Sequence, residues 1–155
     1  MNKIIFILIL VSSSLAYSAG TSSVSSTNTD NSDQIKILYQ KAEKYIEEKS
    51  FDKSLKVLKA LTKREDLSGF RADIYNLLGF SYRKLEKPDL DKSFAAYLMA
   101  IEIDPKHIGA HEYLGELYLM MGDKNKAYEM LTTIDKLAGS TSDEFQELNK
   151  AIEQY

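Results

Sequence analysis

A chain of 155 residues with 44% hydrophobic and 28% charged residues has ordinary globular composition and the material for one domain. Its 20 basic against 23 acidic residues give a formal charge of −3, which argues against unspecific attraction to nucleic acid or to an anionic membrane surface. The absence of cysteine excludes disulfides, thiolate metal sites, thiol nucleophiles and a lipobox, and seven Gly with two Pro leave little material for a turn-dense β fold.

Residues 1–19, MNKIIFILILVSSSLAYSA, begin with one cation at Lys3, continue with the apolar run Ile4 to Val11 and close in small residues. That order is the one found in a secretory signal peptide. The apolar run is far short of the ~20 residues a membrane-spanning helix needs, so an uncleaved anchor is the weaker alternative. Cleavage is open among Ala16, Ser18 and Ala19, and no stable membrane anchor is expected after it. Loss of Lys3 leaves 19 basic against 23 acidic residues, a mature charge of −4. The short Lys-led leader points to a bacterium, with secretion across the inner membrane into the periplasm. Residues 20–33, GTSSVSSTNTDNSD, have almost no bulky side chains to bury and are expected to form a disordered Ser/Thr-rich linker. They lack the glycine pattern of a phosphate-binding or catalytic loop.

From Gln34 onward the apolar period is helical, with stops at "KS", "DLSG", "KPD", "DPK", "MGD" and "AGSTSD". The spacing predicts helices over about 34–48, 52–64, 70–85, 90–103, 107–121, 124–138 and 142–154, three pairs and one left over. Leu78, Gly79 and Tyr82 align with Leu114, Gly115 and Tyr118 at an offset of 36, and Ser93, Tyr97 and Ala100 align with Ala127, Leu131 and Ile134 at 34. Glycine inside a helix costs about 1 kcal/mol against alanine, so Gly79 and Gly115 imply a close helix contact, with the small residues Ser93 and Ala127 expected on its other side. Pro105 cannot continue a helix and pushes Asp104 out of helical angles, so the chain turns and the unit restarts.

The set Tyr75, Leu78, Gly79, Tyr82, Ser93, Tyr97, Ala100 and Pro105 resembles the tetratricopeptide repeat, as does the following His111, Leu114, Gly115, Tyr118, Gly122, Asp123, Ala127, Leu131 and Ile134. The second set lacks the closing Pro. A degenerate earlier unit uses Leu38, Ala42, Tyr45, Phe51, Ser54, Leu58 and Leu61, with Lys41 where Leu is usual. The resemblance implies an all-α, right-handed superhelical solenoid over residues 34–140, in units of about 35–68, 72–107 and 108–140. A last unit needs a lid, and residues 141–155 fit one: an N-cap at Thr141 or Ser142, acids in the first turn, and Phe145, Leu148 and Ile152 on one stripe.

Chemistry is harder to place. His107 and His111 share a helix face beside Glu112, but no third ligand is spaced to join them and no HExxH is present. Most carboxylates lie beside lysines at helical spacing, and there is no GxSxG elbow, P-loop or dinucleotide turn. No enzyme, metal or cofactor is expected.

The resemblance instead implies a concave groove lined by the first helix of each unit. Aligned positions give Tyr39, Glu43, Ile46 and Glu47, then Asp73, Asn76, Phe80, Arg83 and Lys84, then Glu112, Glu116, Leu119 and Met120. Packing between units competes as the account of Phe80, Leu119 and Met120. In the subgroup that binds the tails of heat-shock chaperones, a clamp of cations and amides occupies places held here by Tyr39, Glu43, Leu77, Gly109 and Tyr113. That function is not implied. The expectation is a protein-interaction scaffold whose partner carries basic and apolar residues. Its rival is a self-associating structural component of the envelope whose groove holds its own C-terminal helix.

Overall fold

In a computed structural model the described residues are 26–67 and 69–155, and they form seven α-helices with no strand. These are α1 (Ser26–Glu47), α2 (Phe51–Leu61), α3 (Arg71–Arg83), α4 (Leu90–Ile103), α5 (Ile108–Met120), α6 (Lys124–Ala138) and α7 (Asp143–Gln154). The segment read as a signal peptide lies outside the described residues. No helix among them is long and apolar enough to cross a membrane.

Local chemistry sets the helix ends. Asp89 and Asp123 each cap a helix by accepting from the amide three residues on, at 3.1 Å, and Ser142 does the same for α7 at 3.3 Å. His107 caps α5 with its ring, Nδ1 accepting from the Ala110 amide at 3.1 Å. Asp104, held extended before Pro105, ends α4.

One boundary differs from expectation. α1 starts at Ser26, so residues 26–33 of the stretch read as a linker are helical; residues 20–25 lie outside the described part. Arg64 donates to Gln34 Oε1 at 3.1 Å and to Asn31 Oδ1 at 3.4 Å, while Ile35 is buried in the core. Once a helix is nucleated, each added residue costs little, and these tertiary contacts extend it over a polar stretch.

The helices pair as α1·α2, α3·α4 and α5·α6, and each pair packs on the next. First helices also touch one another, α1 on α3, α3 on α5 and α5 on α7, whereas α2, α4 and α6 do not touch. A stack that closes up along one layer and opens along the other must curve, with α1, α3, α5 and α7 on the inner side. This is a helical solenoid. α7 packs only on α5 and α6, continuing the inner layer in place of a further unit. It stands at the end of the stack as a lid, and it makes no contact with α1 or α3.

Two apolar clusters meet inside α4. Ala96 belongs to the N-terminal one with Leu58, Leu61 and Ile74, and Tyr97 to the C-terminal one with Leu114, Ile134 and Leu148. The repeat-defining Leu78, Tyr82, Ala100, Leu114, Tyr118 and Ala127 are all buried.

Gly79 has Ser93 against it as expected, with the Tyr97 ring closer still, while the tightest neighbour of Gly115 is one the repeat pattern does not name. A Cβ on Gly79 would stand 2.6 Å from the Tyr97 ring, and Ser93 Oγ donates to the Gly79 carbonyl at 2.8 Å. A Cβ on Gly115 would stand 2.6 Å from Leu148 Cδ2. The tightest neighbour of Gly115 is thus the lid helix.

Candidate functional site

The inner layer carries the residues transferred from the repeat pattern. On α1, Tyr39 is half-buried with its ring 5.4 Å from Phe70, and Ile46 is buried in the core. Burial holds the Tyr39 hydroxyl neutral far above the ordinary phenol range, and the Glu43 and Asp73 carboxylates push the same way. Burial likewise raises Glu43, with Tyr39 opposing it. Glu47 is exposed.

α3 supplies the middle of the surface. Phe80 lies 5.1 Å from Tyr113 on α5 and 6.2 Å from Phe51 on α2, centroid to centroid, so one aromatic run crosses all three units. The Lys84 ammonium sits 5.5 Å over the Phe80 ring. Burial makes that lysine easier to deprotonate, and Arg83 beside it adds to the effect. Asp73 Oδ1 accepts from His107 Nε2 at 3.0 Å, the tautomer following from the bond His107 Nδ1 accepts. This pair ties the second unit to the third.

Arg83 departs from its expected role as an open groove cation, being only 4% exposed. Its guanidinium lies 5.6 Å from the Phe80 centroid and 5.5 Å from that of Tyr113, and Nη1 pairs with Glu116 Oε2. Burial works against its charge, while the Tyr97 hydroxyl and Glu116 more than offset it. Arg83 stiffens the groove floor from behind. For Leu119 the packing account holds: at 3% exposure it lies in the C-terminal cluster and does not line the groove. Asn76 is also buried, near Gly109, whereas Met120 is exposed.

α5 carries the acidic end. Glu112 is 9% exposed and its pKa is pushed up to about 8, first by burial and then by Glu116 and by Glu144 on α7. Tyr113 is pushed up to about 12 by burial and by the same two α5 carboxylates. His111 Nε2 donates to the Pro105 carbonyl at 2.9 Å, so the two histidines face different partners. Among the described residues no three His, Asp or Glu side chains are grouped to hold a metal ion.

Sequence reasoning missed Phe51, Glu144 and Glu147 as members of this surface, and met Tyr113 only as a non-matching clamp position. An aromatic at Phe51, immediately after a first helix, is a readable signal. Glu144 and Glu147 enter only because the lid continues the inner layer, which the repeat pattern does not encode.

A family model for the tetratricopeptide repeat matches residues 96–129, from mid-α4 through α5 into α6. No curated protein matches the chain. Among solved structures, the Yersinia enterocolitica type III secretion chaperone SycD, in complex with a peptide of the translocator YopD, is similar with a TM-score of 0.64 at 20% identity over 79% of this chain and 88% of that one. PcrH, in complex with the chaperone binding region of PopD, gives 0.67 at 17% identity over 79% and 91%. The first tetratricopeptide domain of Spaghetti (RPAP3), bound to the HSP90 peptide SRMEEVD, gives 0.64 at 16% identity over 79% and 92%. The fold is the tetratricopeptide-repeat solenoid. In this solenoid the inner layer is an aromatic run flanked by carboxylates, with its principal cation turned inward.

Proposed function

We propose that this protein is a non-enzymatic interaction module that holds an extended segment or a helix of a partner protein along the inner face of α1, α3 and α5. The observation that carries the reading is the run Phe51, Phe80 and Tyr113, each only partly buried, with α7 touching neither of the helices that bear Phe51 and Phe80. Three structural neighbours are described with peptides bound, which supports the same use of the fold here. The peptide SRMEEVD is acidic, whereas Glu43, Glu47, Glu112 and Glu116 edge the present groove and disfavour such a ligand. A partner combining apolar and basic residues fits. The leader-like residues 1–19 place the protein, in this reading, in the periplasm of a bacterium.

A photoreactive residue at Phe80 of the full chain, introduced in the native host, tests the reading. A discrete heterologous crosslink that Glu47→Lys weakens at low salt is expected. Crosslinks only between copies of this chain, or tighter binding of acidic than of basic peptides, would sink it. Intact mass of the exported protein checks the location, with a terminus after Ala16, Ser18 or Ala19 expected.

A further inference from the structure

We infer that the outer layer of the solenoid docks on an anionic phospholipid bilayer, with lysines of α2 at the headgroups and an apolar strip of α4 entering between them. The exposed side of α2 and the turn after it carry Lys53, Lys56, Lys59 and Lys63, and Asp52 is the only acid in the helix. None of these four lysines forms an ion pair with a described residue. Lys53 and Lys59 rest over the rings of Tyr45 and Tyr82, 5.7 and 5.1 Å from their centroids, and stay exposed.

The next outer helix continues the face with different chemistry. Ser54 and Ser93 hold the same place in their units, so Lys56, Lys59 and Ala60 of α2 correspond to Ala95, Leu98 and Met99 of α4, all of them exposed. Leu98 is 42% and Met99 39% exposed, and Ile103, one turn on, is 37% exposed. At the corresponding positions α6 holds Glu129, Thr132 and Thr133, so the strip belongs to the middle unit and lies beside the lysines.

The chain as a whole is acidic, yet its charge is segregated by layer: Glu43, Glu47, Glu112 and Glu116 stand on inner helices. An anionic surface attracts one side of such a molecule and repels the other, which sets its orientation. An extended peptide needs a groove or a sheet edge to hold it, and the outer layer is convex. A fluid array of headgroups adapts to point charges on long stems, and a protruding apolar strip can enter it. In this pose the inner face looks away from the bilayer, so docking stands or falls separately from the groove reading.

The protein is purified in the form its native host makes and mixed with vesicles of equal parts phosphatidylglycerol and phosphatidylethanolamine, or of phosphatidylcholine alone. Binding to the anionic vesicles only, weakened by salt, is expected. Each lysine near such a surface is worth about fivefold in partitioning, so Lys56→Gln, Lys59→Gln and Lys63→Gln together should cost about a hundredfold. The same change at Lys36, Lys44 and Lys150, exposed on α1 and α7, should cost far less. Leu98→Gln should cost about fivefold. Because the chain has no cysteine, an environment-sensitive dye can be attached through Met99→Cys or through Glu47→Cys. The first should shift to the blue on vesicles and the second should not.

No binding, or equal losses from the two lysine sets, overturns the inference. Binding that leaves the Met99→Cys dye unmoved also overturns it, since adsorption then runs through another part of the chain. If the vesicles are ignored while a helical peptide of Glu and Leu binds with the same lysine dependence, the occupant is an acidic protein and the bilayer is excluded.

Discussion

Gly115 and Leu148 form a pair whose energetics change sign with context. Alanine is worth about 1 kcal/mol over glycine inside a helix, but here its methyl would stand 2.6 Å from Leu148 Cδ2. Gly115→Ala should therefore be neutral or destabilising in the wild-type chain and stabilising by about 1 kcal/mol in a Leu148→Ala background. Urea unfolding of the four variants measures this, and equal effects in both backgrounds would refute the close approach. Glu112 gives a prediction in pH. Its folded pKa, about 8, stands above the unfolded carboxylate value, so the unfolded chain releases its proton first as pH rises. The contribution is fully present below about pH 4.5 and is lost as pH climbs through about 8, a fall on the order of 5 kcal/mol. Glu112→Gln should flatten that slope and be more stable than wild type at pH 8.5. Parallel slopes in the two proteins would contradict it.

At the scale of elements, the turn between α1 and α2 holds Lys49 at φ 56°, left-handed backbone that a side chain resists. The Ser50 amide still bonds the Tyr45 carbonyl at 2.7 Å, so the helix end is closed without the glycine such ends favour. Lys49→Gly should raise stability by about 1 kcal/mol and the melting temperature by about 3–5 °C; an unchanged melt would show the turn to be unstrained. Most helix ends were legible because Asp89, Pro105, Asp123 and Ser142 act on their own backbone. The start of α1 was not, since Arg64, some thirty residues away, holds it. The candidate site divides in the same way. Tyr39, Phe80 and Glu116 follow from repeat register, whereas the burial of Arg83 and the arrival of Glu144 depend on how neighbouring units and the lid close over them.

At the scale of the whole molecule, no helix among the described residues reaches beyond its near neighbours in the stack, and the two apolar clusters adjoin within α4 at Ala96 and Tyr97. Such a chain resembles a row of latches more than a single vault. Stretched between the ends of α1 and α7, the described helices have no long-range tie that must break before everything yields, so tension should open them in instalments. In an optical trap the expected record is a staircase, with the lid and last hairpin yielding as one step and the N-terminal hairpins as another, in place of a single rip. Substituting Tyr97 by Ala should bring the lid step to lower force and leave the N-terminal step where it was. A protein built in this way can give ground at one end while the other keeps its grip, which a partner drawn along the groove would exploit.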